Sequence, residues 1–345
     1  MISQKEVKKQ REQWQTDLSE SFRSLSEFLN YCKLEPQRLN ISEEAAKSFR
    51  FFVTQSWANR IEKGNYKDPL LLQVLPVKAE LDSKPGYSLD PLAEQSQSPE
   101  AGLIHKYEGR VLVTLAGQCA IYCRYCFRRN FPYSDNQFNK NNWQKIIKYL
   151  EQHSEVYEVI LSGGDPLILP DRVLEQVCSD LEKIKHLRYL RVHSRIPIVL
   201  PNRISTNLVR IFSRTRFKTS FVVHSNCAEE LDNEVTEKLD LLKVSKINLF
   251  NQSVLLKGIN DNARKLAQLS HKLFEHGVQP YYLHRLDKVL GASHFSLSKF
   301  EENQIMTELL SLLPGYLVPK FVEEVPFQNF KVPVNIIIKQ PSNQD

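Results

Sequence analysis

The sequence lacks the features that mark membrane and secreted chains. No stretch approaches the roughly 18–20 consecutive apolar residues of a membrane-spanning helix. Residues 1–15 are highly charged and have no apolar segment of the kind a secretory signal needs. Cysteine is scarce: there are six in 345 residues, and Cys32, Cys178 and Cys227 lie far apart, which excludes a disulfide framework. Those three read as small buried apolar residues. There is no internal repeat, no low-complexity tract and no block of basic residues. The net charge of +6 is spread along the chain, so it gives no nucleic-acid footprint. These absences leave a cytoplasmic protein with no membrane and no nucleic-acid partner. With 41% hydrophobic residues, the chain has ample material for a core.

What the sequence does have is a run of three close cysteines, in Gln118-Cys119-Ala-Ile-Tyr-Cys123-Arg-Tyr125-Cys126-Phe-Arg128-Arg129. The spacing C-x3-C-x2-C lets one short loop wrap three thiolates around a face of an iron–sulfur cubane, and soft thiolates suit iron–sulfur or zinc sites. No further cysteine follows before Cys178. Three ligands leave one iron open, and an open metal position is where chemistry happens, as at catalytic zinc. The pattern resembles the radical S-adenosylmethionine (SAM) signature, in which the open iron chelates the amino and carboxylate groups of SAM. A zinc knuckle is the alternative, and it would need His105 or His153 as a distant fourth ligand. Arg124, Arg128 and Arg129 beside the thiols suit a site for anionic small molecules.

Along the chain, Trp14, Leu18, Phe22, Leu25, Phe28, Leu29 and Cys32 recur at three- and four-residue steps, so residues 1 to about 60 read as helical. They are expected to cap the main domain. Residues 68–102, rich in Pro, Ser, Asp and Gln, read as an extended connector. Apolar runs then appear at 110–115, 157–161, 188–192, 219–223, 246–250 and 280–283. Helical stretches at 171–185, 202–214, 232–243 and 261–276 alternate with them. Such alternation predicts right-handed βαβ units and a parallel sheet. The expected fold is therefore α/β: a partial (β/α)6 barrel with an N-terminal helical extension and a short C-terminal segment. The expected division is 1–104 for cap and connector, 105–297 for the barrel and 298–345 for the C-terminal segment.

Each apolar run ends in residues with hydrogen-bonding heads, and catalytic groups of parallel β/α folds converge at the C-terminal ends of strands. In Ser162-Gly163-Gly164-Asp165-Pro166, the glycines let backbone approach a ligand closely or simply turn. Ser194 and Arg195 bind an anionic group or form an ion pair at the barrel rim. His224 and Gln252 touch SAM or satisfy one another, and Asp287 holds an ammonium or is merely solvated.

Taken together, the cysteine loop with Phe-Arg-Arg, Ser162-Gly-Gly-Asp-Pro-Leu167, His193-Ser-Arg-Ile-Pro197, Asn251-Gln-Ser-Val-Leu-Leu256 and Leu313-Pro-Gly-Tyr316 resemble the lysine 2,3-aminomutases over nearly the whole chain. Cys126-Phe-Arg-Arg-Asn-Phe-Pro-Tyr133, Pro280-Tyr-Tyr-Leu-His284 and Gly315-Tyr-Leu-Val-Pro-Lys320 resemble the branch whose product is attached to bacterial elongation factor P. The resemblance implies a 4Fe–4S cluster on Cys119, Cys123 and Cys126, and SAM as cosubstrate. Gly163, Gly164, Asp165, Ser194, Arg195, His224 and Gln252 are then the candidate SAM contacts. It also implies pyridoxal phosphate on Lys331, with Lys106 and Arg110 near its phosphate. Arg128 would take the substrate carboxylate and Asp287 its side-chain ammonium, with Glu324 as a second acid. Glu324 stands where those enzymes carry Asp, and Phe327-Gln-Asn-Phe330 replaces a glycine run. Their cysteine-bearing C-terminal tail does not appear before Asp345, so their assembly is not carried over.

The implied reaction converts free α-lysine to β-lysine, which links the chain to elongation factor P, its lysyl ligase and an electron donor. Moving an amino group from Cα to Cβ breaks an unactivated C–H bond; the cofactors do that chemistry while the protein positions them and keeps water out. A radical SAM enzyme of other specificity, acting on another amino acid or on RNA, is the competing reading.

Overall fold

The alternating apolar runs build one nine-stranded sheet in strict chain order. The computed structural model describes residues 12–337 apart from 137 and 246. An antiparallel hairpin of β1 (Leu103–Tyr107) and β2 (Arg110–Ala116) opens the sheet. Parallel to β2 follow β3 (Glu158–Gly163), β4 (Tyr189–Ser194), β5 (Lys218–His224), β6 (Asn248–Val254), β7 (Val278–His284) and β8 (Lys320–Glu323). The two-residue β9 (Val332–Pro333) turns back antiparallel on β8. The sheet is an open arc, with β1 at one end and β9 at the other.

The six expected strands are β2 to β7, with bounds shifted by a few residues; Lys246, the expected start of one of them, lies outside the described residues. The seventh parallel strand, β8, is four residues long, too short to carry a readable period. It lies in the expected C-terminal segment yet belongs to the same sheet. Position 104 falls within β1.

The N-terminal segment differs from a continuous helix. It folds as α1 (Gln13–Ser19), α2 (Leu25–Tyr31), α3 (Glu43–Ser48) and α4 (Gln55–Arg60), followed by the single turn α5 (Pro69–Leu72). Phe22 leaves the helical path to exchange backbone hydrogen bonds with Val53, at 2.8 and 3.1 Å. Ser24 then caps α2 by accepting from the Glu27 N–H, and Thr54 caps α4 by accepting from the Trp57 N–H. The three- and four-residue steps reported packing: Trp14, Phe28, Leu29 and Cys32 are all buried.

Helices α6 (Lys140–Gln152), α7 (Asp171–Glu182), α8 (Ile196–Val199), α9 (Thr206–Ser213), α10 (Asn233–Val244), α11 (Ala263–Glu275) and α12 (Lys299–Leu312) lie in the connections between strands β2 to β8. In α7 the buried residues Leu174, Val177, Cys178 and Leu181 repeat at helical spacing, which turns one stripe onto the sheet. One hydrophobic core joins cap residues such as Trp57 and Leu70 to sheet residues such as Val113, Leu161 and Phe221. Among the described residues no helix is long and apolar enough to cross a membrane.

Candidate active site

The cysteine loop leaves the C-terminal end of β2. Cys126 N–H donates to the Cys123 carbonyl at 3.0 Å, a turn that brings the thiols together. Burial, then the neighbouring Cys123, push the Cys126 thiol up to about 11, and burial with the other two thiols raises Cys119 as well. These groups are protonated without a metal, and cluster assembly must displace the protons.

The loop is gripped from the sheet side. Gly164 N–H donates to the Ala116 carbonyl at 2.6 Å and Asp165 N–H to the Gln118 carbonyl at 2.8 Å. A Cβ on Gly164 would lie 2.3 Å from the Gln118 oxygen, and one on Gly163, which has φ +125°, would lie 2.5 Å from the Ala116 oxygen. The close approach expected of this glycine pair is thus made to the backbone entering the cysteine loop. Asp165 accepts from Ser194 Oγ at 2.8 Å, from the N–H of Arg195 at 2.7 Å and from those of Ile196 and Leu167 at 3.1 Å. Burial pushes its carboxyl up to about 6 against those bonds. Arg195 donates to Cys123 Sγ, to Tyr125 Oη at 2.5 Å and to Gln73 Oε1 at 2.7 Å, with Cζ 4.8 Å from the centre of the Trp57 ring. The sulfur of the loop is therefore among the acceptors Arg195 serves.

Arg124 and Arg129 correct the expectation of an anion site beside the thiols. Arg124 is fully buried and binds Glu80 through Nε and Nη2, and the Phe49 and Ala45 carbonyls at 2.7 and 2.9 Å. Arg129 reaches the same carboxylate at 2.9 Å. Both face the cap, because an unpaired buried guanidinium is costly and Glu80 is its counter-charge.

Beside the loop, bounded by strands β1 to β4, β6 and β7, lies a cavity of about 330 Å³. It gathers Lys106, Tyr107 and Arg110 from the β1–β2 hairpin, Arg128 from the loop, Gln252 from β6, Asp287 after β7, and Glu324 and Lys331 on either side of the β8–β9 turn. Lys331 is ion-paired with Glu324, and Tyr107 Oη donates to the same carboxylate at 2.8 Å. Burial alone would raise Glu324, but Lys331, Lys106 and Tyr107 outweigh it and hold the group at about 2. Burial and then the Glu324 charge push Asp287 up to about 7, opposed by Lys331 and Lys106. Arg128 spends Nε and Nη2 on Glu94 at 2.7 and 2.8 Å, and Nη1 on Ser162 Oγ and the Gly163 carbonyl at 3.1 and 3.3 Å. Its fork already grips one carboxylate.

Gln252 and His224 pair at 2.8 Å. Burial, then the Arg195 and Arg128 charges, hold His224 neutral at about 3, and burial likewise depresses His193 and His284. The last two obey the strand-end rule and were nameable from it; Glu94 and Tyr107, in the connector and on β1, carry no such signal.

The residues present fit both cofactors. Three thiols on one loop beside a guanidinium suit an iron–sulfur cluster. An amine projecting into a cavity with Lys106 and Arg110 suits a pyridoxal and its phosphate, and the Nε2 atoms of His193 and His284 have no partner among the described residues. His105 and His153 are engaged elsewhere: His105 Nδ1 lies 2.8 Å from Tyr149 Oη, and His153 stacks on that ring at 3.8 Å. Among the described residues, no three His, Cys, Asp or Glu side chains are grouped as a single-ion site.

An α/β arc with a three-cysteine loop after its first parallel strand defines an iron–sulfur radical SAM protein, and residues 107–190 match the 4Fe-4S single cluster domain. The chain is 46% identical over 331 residues to L-lysine 2,3-aminomutase of Escherichia coli (strain K12), with 96% of both chains covered. To the L-lysine 2,3-aminomutase of Buchnera aphidicola it is 42% identical, covering 98% of this chain and 100% of that one. To that of Clostridium subterminale it is 33% identical, covering 95% and 79%. A radical SAM methyltransferase from Sphaerobacter thermophilus superposes with a TM-score of 0.45 at 14% identity, covering 64% of this chain and 68% of the other. The chain belongs to the lysine 2,3-aminomutase family. Membership implies a 4Fe–4S cluster, SAM and pyridoxal phosphate.

Proposed function

We propose that this chain is a radical SAM, pyridoxal-phosphate-dependent lysine 2,3-aminomutase that converts free α-lysine to β-lysine for later attachment to elongation factor P. The observation that carries the reading is a single cavity beside the cysteine loop that holds an amine, Lys331, together with complements to both ends of lysine. The cluster with SAM supplies a carbon radical able to take an unactivated hydrogen, and the pyridoxal supplies a carrier for the migrating nitrogen. Cys119, Cys123 and Cys126 would hold the cluster; Lys331 would bear the pyridoxal, with Lys106 and Arg110 at its phosphate. Gly163, Gly164, Asp165, Ser194 and Arg195 shape the loop on which SAM would bind, and His224 with Gln252 faces the same space.

Asp287 takes the side-chain ammonium, and Glu324 adds its charge once Lys331 is engaged by the pyridoxal. Arg128 takes the substrate carboxylate in place of Glu94, a like-for-like exchange that leaves the buried guanidinium paired before and after binding. Its planar fork makes lysine a poor replacement.

The test combines reduced enzyme, SAM, pyridoxal phosphate and isotopically labelled α-lysine, with β-lysine read by chromatography. The labelled product should appear, and Asp287→Asn should depress lysine turnover far more than SAM cleavage without substrate. No β-lysine at full cluster and pyridoxal occupancy refutes the reading. Product formed only on lysylated elongation factor P moves the substrate onto the protein.

A further inference from the structure

Residues 18–52 carry no chemistry of their own, yet they form one wall of a cleft beside the cysteine loop. It has a volume of about 870 Å³ and reaches Cys119. Cys119 lines this cleft and not the barrel cavity, so the cysteine loop is approached here by a separate route. Tyr122 and Phe52 form the wall next to it, with Tyr122 N–H donating to the Phe52 carbonyl at 3.1 Å and the rings 5.9 Å apart. The charged residues of the lining are Arg23, Lys47 and Arg50 against Glu43 alone, all exposed. Among the described residues none of the three cations is ion-paired. Arg23 rests over the Phe52 ring at 4.8 Å, and Arg50 lies near enough to Tyr122 to act on its hydroxyl. A positive rim around an aromatic wall at the edge of the cysteine loop suits an anionic visitor that must come close to the loop without entering the barrel.

We infer that this cleft is the docking surface of an acidic one-electron carrier protein, which passes an electron to the cluster on Cys119, Cys123 and Cys126. The inference rests on the proposed cluster chemistry and adds where its reductant binds. One electron leaves the carrier, which is oxidised, and enters the cluster; no bond or proton changes hands. The cap then has a purpose that the sheet cannot supply, because the strands present their polar ends to the barrel cavity. A rim of one sign raises encounter rates by about 10- to 1,000-fold at low ionic strength, and salt screens it.

The probe is an acidic flavodoxin, reduced in advance and mixed with cluster-loaded enzyme at low salt. Loss of cluster absorbance gives the rate, and calorimetry gives the affinity. Dithionite serves as the small reductant that needs no docking. The charge reversal R23E/K47E/R50E should slow flavodoxin-driven reduction at least tenfold at low salt and invert its salt dependence, so that added salt now speeds it, while dithionite-driven reduction changes far less. The milder K47Q/R50Q should fall between the two. Flavodoxin reduction at the wild-type rate in the reversed variant overturns the inference. So does an equal loss with both reductants in the neutralised variant, because that reports damage to the loop. A wild-type protein in which dithionite drives no SAM cleavage would strike the aminomutase reading itself.

Discussion

With Asp287 as the proposed holder of the ammonium, binding requires its carboxyl to be ionised, because only that form attracts a cation. Burial and Glu324 place its titration at about 7. The carboxyl is neutral below that value and charged above it, while the lysine side chain keeps its proton to about 10.4. Lysine affinity should therefore rise as pH increases through about 7. Initial rates at sub-saturating lysine will reveal this, whereas SAM cleavage without lysine should follow a different profile. In Glu324→Gln the like charge is gone, so the midpoint should move to lower pH; a wild-type rate insensitive to pH across that range would contradict the assignment. The candidate residues were legible one by one: spacing singled out the three cysteines, and the family pattern pointed to Lys331, Asp287 and Glu324. Their pairings were not. Glu324 on Lys331, and Glu94 in the fork of Arg128, join residues from separate elements, and sequence spacing carries no information about which charges meet.

At the scale of elements, polar residues do gather at the ends of β3 to β7, because a parallel sheet buries each strand along its length and frees only its end. The N-terminal segment is helical, as its period implies, but as four short helices and not one continuous run. Period reports which residues face a core, and four short capped helices satisfy that as well as one long helix. The contact between β3 and the cysteine loop offers a direct test. In Gly164→Ala the new methyl would need the place of the Gln118 carbonyl, so the strand end must withdraw from the loop. We expect a loss of about 1–3 kcal/mol in stability, typical of forced overpacking, and a reduced iron content per chain. Gly315→Ala, where a Cβ meets nothing within 4 Å, is the control and should change neither. Thermal melts and iron analysis of the two variants side by side give the answer.

At the scale of the whole molecule, cap and sheet share one core and one buried charge network, so the cap is expected to unfold with the barrel. Arg124→Ala removes the guanidinium that ties the loop to Glu80 and to the Ala45 and Phe49 carbonyls. Stranding a buried carboxylate in this way costs about 3–5 kcal/mol, toward the lower end here because Arg129 still reaches Glu80. Urea titration should show a lower midpoint within a single transition; two separated transitions would mean that the cap is an independent unit. The open sheet carries a last consequence. A closed barrel has its girth fixed by strand number and stagger, but this arc ends free at β1 and β9. Among the described residues a side-chain hydrogen bond links its two ends, Tyr107 to Glu324, and Glu324 is ion-paired with Lys331 beside β9. That link is made by groups that line the candidate cavity. A ligand on Lys331 would take one partner from Glu324 and leave in place the Tyr107 hydrogen bond, the link that spans the gap.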